Sequence, residues 1–293
     1  MTTPYKYRSY AKINLYLDVL RQRDDGFHDL ETIFQSVDLF DELTIEPADD
    51  LLLTSNVEGL STGEDNLIIR AARILQTQTG TTHGASLQLQ KNIPIAAGLA
   101  GGSGNAAAAL VGLNKMWELE LDDNTLNALA LRLGSDVPYC LHGGTVAATG
   151  RGEKMNPLNP IPPVYIVLVH PPYPVSTPEI FNHPALEKSG HVTKPGEYSP
   201  PFDSATAKLR GGDLAGCLFN ALEIPAFELH PDLESIKETL RKAGCFGALM
   251  SGSGPTMMGF CGSESTAQNA ATALKAFNTT ITRPVLQGIE LAS

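Results

Sequence analysis

Three groups of residues in this sequence have types and spacings that could do chemistry. Gly98, Gly101, Gly102 and Gly104 fall within "PIAAGLAGGSGNAAAAL", directly before an alanine-rich run. A helix start leaves backbone N–H groups without partners and carries positive potential. Glycine lets backbone wrap close to an anion without Cβ clashes. The loop therefore suits a phosphate cradle; the alternative is a tight strand-to-helix turn. Lys12 and Asn14 project from one face of an alternating segment, a cation beside a carboxamide. Taken alone, such a lysine reads as an exposed strand residue. Asp136, in "GSDVP", reads first as a helix cap before Val-Pro.

Two named phosphate motifs do not account for the glycines. The Walker A pattern ends in Gly-Lys-Ser/Thr, which occurs nowhere in the chain. The dinucleotide fingerprint needs G-x-G-x-x-G inside a βαβ unit, whereas the spacing here is G-x-x-G-G-x-G.

The elements that must position these residues follow from periodicity. "SYAKINLYLDVL" at 9–20 alternates, with Ala11, Ile13, Leu15, Leu17 and Val19 on one face and Lys12, Asn14, Tyr16 and Asp18 on the other. That predicts a half-buried strand. A turn follows at 23–28, with Gly26 free to take positive φ, and "LETIFQSV" and "ELTIEP" predict two more strands. Helical spacing over 66–80 is closed by Gly80, and "ASLQLQ" predicts a strand. After the glycines, Ala106, Leu110, Leu113 and Trp117 recur with helical period, with Ser103 as N-cap. A second helix covers 124–134, and 143–149 reads as a strand.

Composition shifts at "NPLNPIPP", residues 156–163, which predicts a domain boundary. "VYIVLV" at 164–169 is continuously apolar and predicts a central strand. Thr177, Pro178 and Glu179 read as cap, proline and first-turn acid of a helix. Residues 184–203 predict a long surface loop. Helices near 204–223, 231–243 and 265–277 follow. "GALMSGSGPTMMGFC" predicts strand, tight loop and strand, and a last strand lies near 284–291. Helices and strands mix without strict alternation, so the class is α+β.

The 293 residues suggest two domains at roughly 150 residues each. With 42% hydrophobic residues there is material for a sizeable core. The net charge of -11 disfavours general binding to nucleic acid or anionic membrane. Cys140, Cys217, Cys245 and Cys261 lack zinc-ligand spacing and read as buried thiols. "MTTPYKYRSY" lacks the apolar core of a signal peptide, and no apolar run reaches the ~20 residues of a membrane helix. A cytoplasmic protein is expected.

The whole pattern resembles the superfamily named for galactokinase, homoserine kinase, mevalonate kinase and phosphomevalonate kinase. "PIAAGLAGGSGNAA" is similar to its second motif. "SYAKINLYLDVLRQRDDGFHDLETIFQSVDLFDELTI", "LGSDVPYCLHGGTVAATGRGE" and "MSGSGPTMMGF" are similar, in order, to other motifs of the branch whose acceptor is a cytidine-diphosphate-linked methylerythritol. The similarity covers nearly the full length. It implies an N-terminal domain over 1–160 like ribosomal protein S5 domain 2, and a ferredoxin-like domain over 161–293, with the active site between them. It also implies ATP-dependent phosphorylation of a methylerythritol hydroxyl, in the non-mevalonate route to isoprenoid precursors, by a monomer or weak homodimer.

The resemblance assigns residues. Asp136 matches a catalytic base, and Lys12 an active-site lysine that keeps the carboxylate ionised and offsets charge on the transferred phosphoryl group. Asn14 matches a substrate contact. Phe27 and His28 match a cytidine-binding pair, with Thr177 and Phe181 as further contacts and an aromatic sandwich on the base. Pro94, Ile95, Ala96, Ala97, Gly98, Leu99, Ala100, Gly101, Gly102, Ser103 and Gly104 align with the ATP phosphate loop, and Lys91 and Asn66 with the adenine pocket. The family has two serines where this chain has Ser103 then Gly104. That removes a side-chain Mg²⁺ ligand, so the ion is expected to travel with ATP. Ser251 to Gly254 match a flexible loop that closes on the site. Arg21, Arg23 and Arg151 read as solvated surface charge or as diphosphate contacts. Two other functions remain open: another small-molecule kinase, such as one for homoserine, and a non-catalytic nucleotide- or RNA-binding module on an S5-like fold. The "GFH" and "STPEIF" segments favour a cytidine-bearing acceptor. The acidic charge and the presence of Lys12 and Asp136 speak against the module.

Overall fold

The structure, a computed structural model, describes residues 4–191 and 197–292. The first part of the chain runs β1 (Tyr5–Gln22), β2 (His28–Ala48), β3 (Leu51–Ser55), α1 (Leu67–Thr79), β4 (Gly84–Gln90), α2 (Gly101–Met116), α3 (Asp123–Leu133), α4 (Val137–His142), β5 (Thr145–Gly150) and β6 (Lys154–Pro157). Next come β7 (Tyr165–His170), α5 (Thr177–Phe181), α6 (Pro200–Arg210), α7 (Leu214–Cys217), β8 (Phe219–Asn220) and α8 (Glu223–Leu229). The last elements are α9 (Asp232–Lys242), β9 (Gly247–Met250), β10 (Met257–Cys261), α10 (Glu264–Ala273), β11 (Asn278–Thr282), β12 (Pro284–Val285) and β13 (Ile289–Ala292).

The strands form two sheets. The larger has the path β13-β1-β2-β4-β3, with β5 and β12 on β2, β6 on β5 and β8 on β1. The smaller is antiparallel in the order β11-β7-β10-β9. Numbered along the chain, that order is 4-1-3-2, and its helices complete the β-α-β-β-α-β ferredoxin-like pattern. Apolar residues of α1–α4 pack on one face of the larger sheet through Ile68, Leu75, Leu110 and Leu113. Between the two sheets lies a core that includes Ile13, Leu15, Ile33, Ile166, Leu168 and Met258. α8, α9 and α10 cover the outer face of the smaller sheet through Ala226, Leu240 and Ala270. The class is α+β, as expected.

Strand β1 departs from simple alternation in a way that matters for the site. Its ladder with β2 slips between Asn14–Phe34 and Tyr16–Ile33, which leaves Leu15 as a bulge residue. A bulge moves every later side chain to the other face. Lys12 and Asn14 therefore share a face with Leu17, and Tyr16 turns away to pack on Phe202 with ring centroids 5.2 Å apart. Alternation had placed Tyr16 with Lys12 and Asn14. The predicted polar face is also not solvated: Lys12, Asn14, Tyr16 and Asp18 are all buried, because both faces of the strand are covered.

Other expectations are corrected here. The two strands predicted over 30–47 are one long strand, β2. Ser103 does not cap α2. Its N-cap is Ala100, at φ 54°, with no side-chain cap bond, and Gly101, Gly102 and Gly104 lie inside the first turn. Ser176, not Thr177, caps α5 by accepting from the Glu179 N–H. The helix predicted over 204–223 divides into α6, α7 and the strand β8. The surface loop predicted over 184–203 ends where Ser199 caps α6, and its residues 192–196 lie outside the described residues. All four cysteines are free and buried, as expected. No helix among the described residues is long and apolar enough to cross a membrane.

Candidate active site

One cleft of about 800 Å³ gathers most of the sequence-predicted site. It is lined by Lys12 and Asn14, by Phe27 and His28, by Asn66 and Lys91, by Pro94 through Ser103, by Asp136, and by Thr177 and Phe181. Gly104 faces the fold instead. A Cβ there would sit 3.3 Å from the Ser9 Cβ, so glycine lets the first turn of α2 lie against β1.

At the centre of the cleft, Lys12 Nζ lies 3.7 Å from Asp136 Oδ2 and donates to Asn14 Oδ1 at 2.9 Å. Asn14 Nδ2 donates to Thr32 Oγ1 at 2.8 Å, and Thr32 Oγ1 donates to the Tyr16 carbonyl at 2.7 Å. This chain uses up the rotamers of Asn14 and holds Lys12 over the Phe34 ring, 5.4 Å from its centroid. The Lys12 side chain is 7% exposed and that of Asp136 34%. Asp136 occupies the N-cap position of α4 but makes no side-chain cap bond. Its carboxylate is thus turned to the cleft rather than to the helix.

The glycine loop is anchored on the same strand, since the Lys12 N–H donates to the Leu99 carbonyl at 3.1 Å. With no capping side chain, the first-turn N–H groups of α2 at Gly101, Gly102 and Ser103 lack intrahelical acceptors. Lys91 and Asn66 line this end but are committed structurally. Lys91 Nζ lies 2.5 Å from the fully buried Asp41 Oδ2, and Asp41 Oδ1 accepts the N–H groups of Asn92 and Ile93. Burial pulls the Lys91 ammonium below its ordinary pKa, with the Asp41 carboxylate opposing. Asn66 caps α1 by accepting from the Ile68 N–H at 2.9 Å.

The loop after β9 is buried and already seated on the cleft, rather than a free flap. Ser251 Oγ donates to the Gly98 carbonyl at 3.0 Å, and Ser253 Oγ meets Thr177 Oγ1 at 2.8 Å. Both loops need glycine where they touch. A Cβ on Gly98, at φ +73°, would lie 2.2 Å from the Ser251 carbonyl oxygen. One on Gly252, at φ +56°, would lie 3.4 Å from both Lys12 Nζ and Asn14 Oδ1.

At the far end stand aromatic side chains. The His28 ring lies 5.2 Å from that of Phe181, and Phe27 is 48% exposed beneath the Arg151 guanidinium, 3.7 Å from its ring centroid. His28 Nε2 is buried without a hydrogen-bond partner. Desolvation, helped by Lys188, holds the His28 pKa below its ordinary value. Arg21 and Arg23 pair with Asp29 and Asp25, whereas Arg151 lines the cleft and donates to Ser135 Oγ at 2.9 and 3.1 Å. Sequence reasoning missed Thr32, Ser135 and Asn105 as lining residues, whereas Ser253 lies in the 251–254 loop it had placed at the site. Among these, Thr32 was detectable only through the ladder that sets it beside Asn14.

A small-molecule phosphotransferase needs an anion-binding helix start, a cation and a carboxylate that converge. Those features coincide here with matches to the models for the N-terminal domain of GHMP kinases over residues 66–144 and the C-terminal domain over 206–279. A relative from Pelotomaculum thermopropionicum named 4-diphosphocytidyl-2-C-methyl-D-erythritol kinase is 44% identical over 89% of this chain and 90% of its own length. One of the same name from Enterococcus faecalis is 41% identical over 92% and 94%. A crystal structure of 4-(cytidine 5'-diphospho)-2C-methyl-D-erythritol kinase superposes with a TM-score of 0.78 at 35% identity, covering 95% of this chain and 98% of that one. Homoserine kinase from Cytophaga hutchinsonii shares the fold, with a TM-score of 0.75 at 18% identity over 100% and 98% of the two chains. The chain belongs to the 4-diphosphocytidyl-2-C-methyl-D-erythritol kinase family.

Proposed function

We propose that this cleft transfers the γ-phosphoryl group of ATP to a hydroxyl of 4-diphosphocytidyl-2-C-methyl-D-erythritol, giving the 2-phosphate and ADP. The observation that carries the mechanism is the meeting of Lys12 and Asp136 between the glycine loop and the aromatic end of one cleft. Asp136 accepts the proton of the acceptor hydroxyl as that oxygen bonds to phosphorus and the bond to the ADP oxygen breaks. Lys12 keeps the carboxylate ionised and offsets charge on the phosphoryl oxygens. Asn14 fixes the Lys12 ammonium and orients the acceptor. The uncapped N–H groups at the start of α2 hold the nucleotide phosphates.

Lys91 supports this loop from behind through Asp41, while Asn66 borders the adenine end. Phe27, His28 and Phe181 take the cytosine between their rings. Thr177 flanks them, and Arg151 meets the diphosphate. Magnesium carried with ATP would supply charge neutralisation on the phosphates. Among the described residues no cluster of three His, Cys, Asp or Glu is placed to hold a metal ion, and Gly104 offers no hydroxyl. A test is ADP release with a panel of acceptors. The cytidine-diphosphate-linked acceptor should be used at least 100-fold more efficiently than homoserine or mevalonate. Faster transfer to homoserine would overturn the assignment.

A further inference from the structure

Asn220 lies outside the cleft lining, yet its side chain is tied to the loop that roofs the Lys12–Asn14 pair. It is buried at the end of β8, where Asn220 is paired with Leu17 of β1 and the Ala221 N–H donates to the Leu17 carbonyl at 2.9 Å. Both Nδ2 hydrogens are used: one bond runs to the Met250 carbonyl at 2.9 Å and one to the Gly252 carbonyl at 2.8 Å. Its Oδ1 accepts the Leu222 N–H at 2.9 Å. A primary amide with three good bonds has one allowed orientation.

The consequence lies in the peptide that follows Gly252. In a trans peptide the C=O and the next N–H point in opposite directions. With the Gly252 carbonyl drawn out toward Asn220, the Ser253 N–H is directed the other way. Gly252 and Ser253 both line the cleft, and the Gly252 backbone lies against Lys12 and Asn14. No acceptor among the described residues takes the Ser253 N–H. Fixed donors aimed where charge develops are worth most when they need no reorganisation.

We infer that Asn220 is a positioning residue. By holding the Gly252 carbonyl outward it keeps the Ser253 N–H turned into the cleft, as a donor to the phosphoryl group in transfer. The inference rests on the phosphotransfer reading given above and adds to it a donor from the second half of the chain. Asn220 does not itself line the cleft. Without its amide the 252–253 peptide is free to rotate, and a carbonyl oxygen can replace the N–H beside the transferring group.

The test compares Asn220→Ala with Glu223→Gln. Glu223 also braces this strand end, accepting the Met250 N–H at 2.9 Å and pairing with Lys237, but it does not touch Gly252. Three properties are measured: Tm by thermal unfolding, and at 25 °C kcat and KM for both substrates, and the affinity of ADP alone against ADP with aluminium fluoride, a mimic of the phosphoryl group in flight. For Asn220→Ala we expect kcat to fall about 10- to 100-fold, short of the ~10²–10³ for outright loss of an oxyanion donor. Affinity for the fluoride complex should fall in parallel, with ADP affinity within twofold of wild type. Glu223→Gln should lower Tm with kcat within twofold. A kcat for Asn220→Ala within threefold of wild type overturns the inference. So does loss of ADP and fluoride-complex affinity by equal factors, or an equal fall of kcat in Glu223→Gln. If Asn220→Ala does not fold, Asn220→Ser, which keeps one donor, is judged by the same criteria. Should wild type fail to phosphorylate the cytidine-linked acceptor, the functional reading falls, while the fluoride arm still tests the aiming of the loop.

Discussion

Replacing Asp136 with asparagine isolates proton transfer from everything else in the cleft. The carboxylate makes no helix-capping bond, so the swap removes no support from α4. Asparagine fills the same volume, and Lys12 keeps its 2.9 Å bond to Asn14. What is lost is the proposed proton acceptor and the negative charge 3.7 Å from Lys12 Nζ. At an effective dielectric constant of ~20 that pair is worth about 4 kcal/mol before screening, and the one-third exposure of Asp136 reduces it further. General-base assistance itself contributes about 10²–10⁴ in rate. We therefore expect kcat to fall at least ~100-fold, equivalent to about 2.7 kcal/mol of barrier. Tm should stay within about 2 °C and the KM for ATP within threefold. The assay is ADP release at saturating acceptor, with a single-turnover experiment to exclude product release as the slow step. A kcat within tenfold of wild type would refute the role of Asp136. A large fall in Tm would show that the residue acts through the fold.

Three further outcomes are expected. His28→Ala should raise the acceptor KM about 10- to 100-fold with a smaller effect on kcat. Because burial and Lys188 lower the His28 pKa, the wild-type acceptor KM should stay flat from pH 8 down to 6.5, and a break at or above 6.5 would contradict that. Gly98→Ala meets the Ser251 carbonyl at 2.2 Å in a left-handed backbone, so it should destabilise by at least ~1 kcal/mol in urea unfolding and raise the KM for ATP. His170 is buried between Thr256 and Thr280, and desolvation lowers its pKa from 6.5 to about 4. The unfolded chain then binds the extra proton first. Stability should be full above pH 6.5 and decline by roughly 3 kcal/mol as pH falls toward 4, and His170→Gln should flatten that slope.

How much of this was legible in the sequence depended on the range of the forces involved. Local signals sufficed where a cap and a glycine bracketed an apolar stripe, as for α1 between Asn66 and Gly80 and for α3 up to Gly134. The same local logic failed at Ser103, because Gly101 and Gly104 are glycine for packing: their added Cβ atoms would meet Lys91, Ile93 and Ser9. The helix start therefore lies earlier than a polar-cap rule suggests. Tyr16 was misplaced because the bulge at Leu15 exists only in the pairing of β1 with β2. The short strand β8, with one polar residue and no periodicity to detect, is visible only beside β1. Within the site, the motifs led to Lys12, Asp136 and the loops. Thr32, whose partner Asn14 lies 18 residues away across the β1–β2 ladder, required the fold.

The second half of the chain does not stay on its own side of the cleft. β8, β12 and β13 are hydrogen-bonded into the larger sheet, two of them directly onto β1. Swinging the halves apart about a hinge would have to tear the β13 and β8 ladders from one edge of the strand that carries Lys12, and the β12 ladder from β2. The two walls of the cleft are therefore stitched to one another through the larger sheet, and the exposed Phe27 end is where the cleft meets solvent.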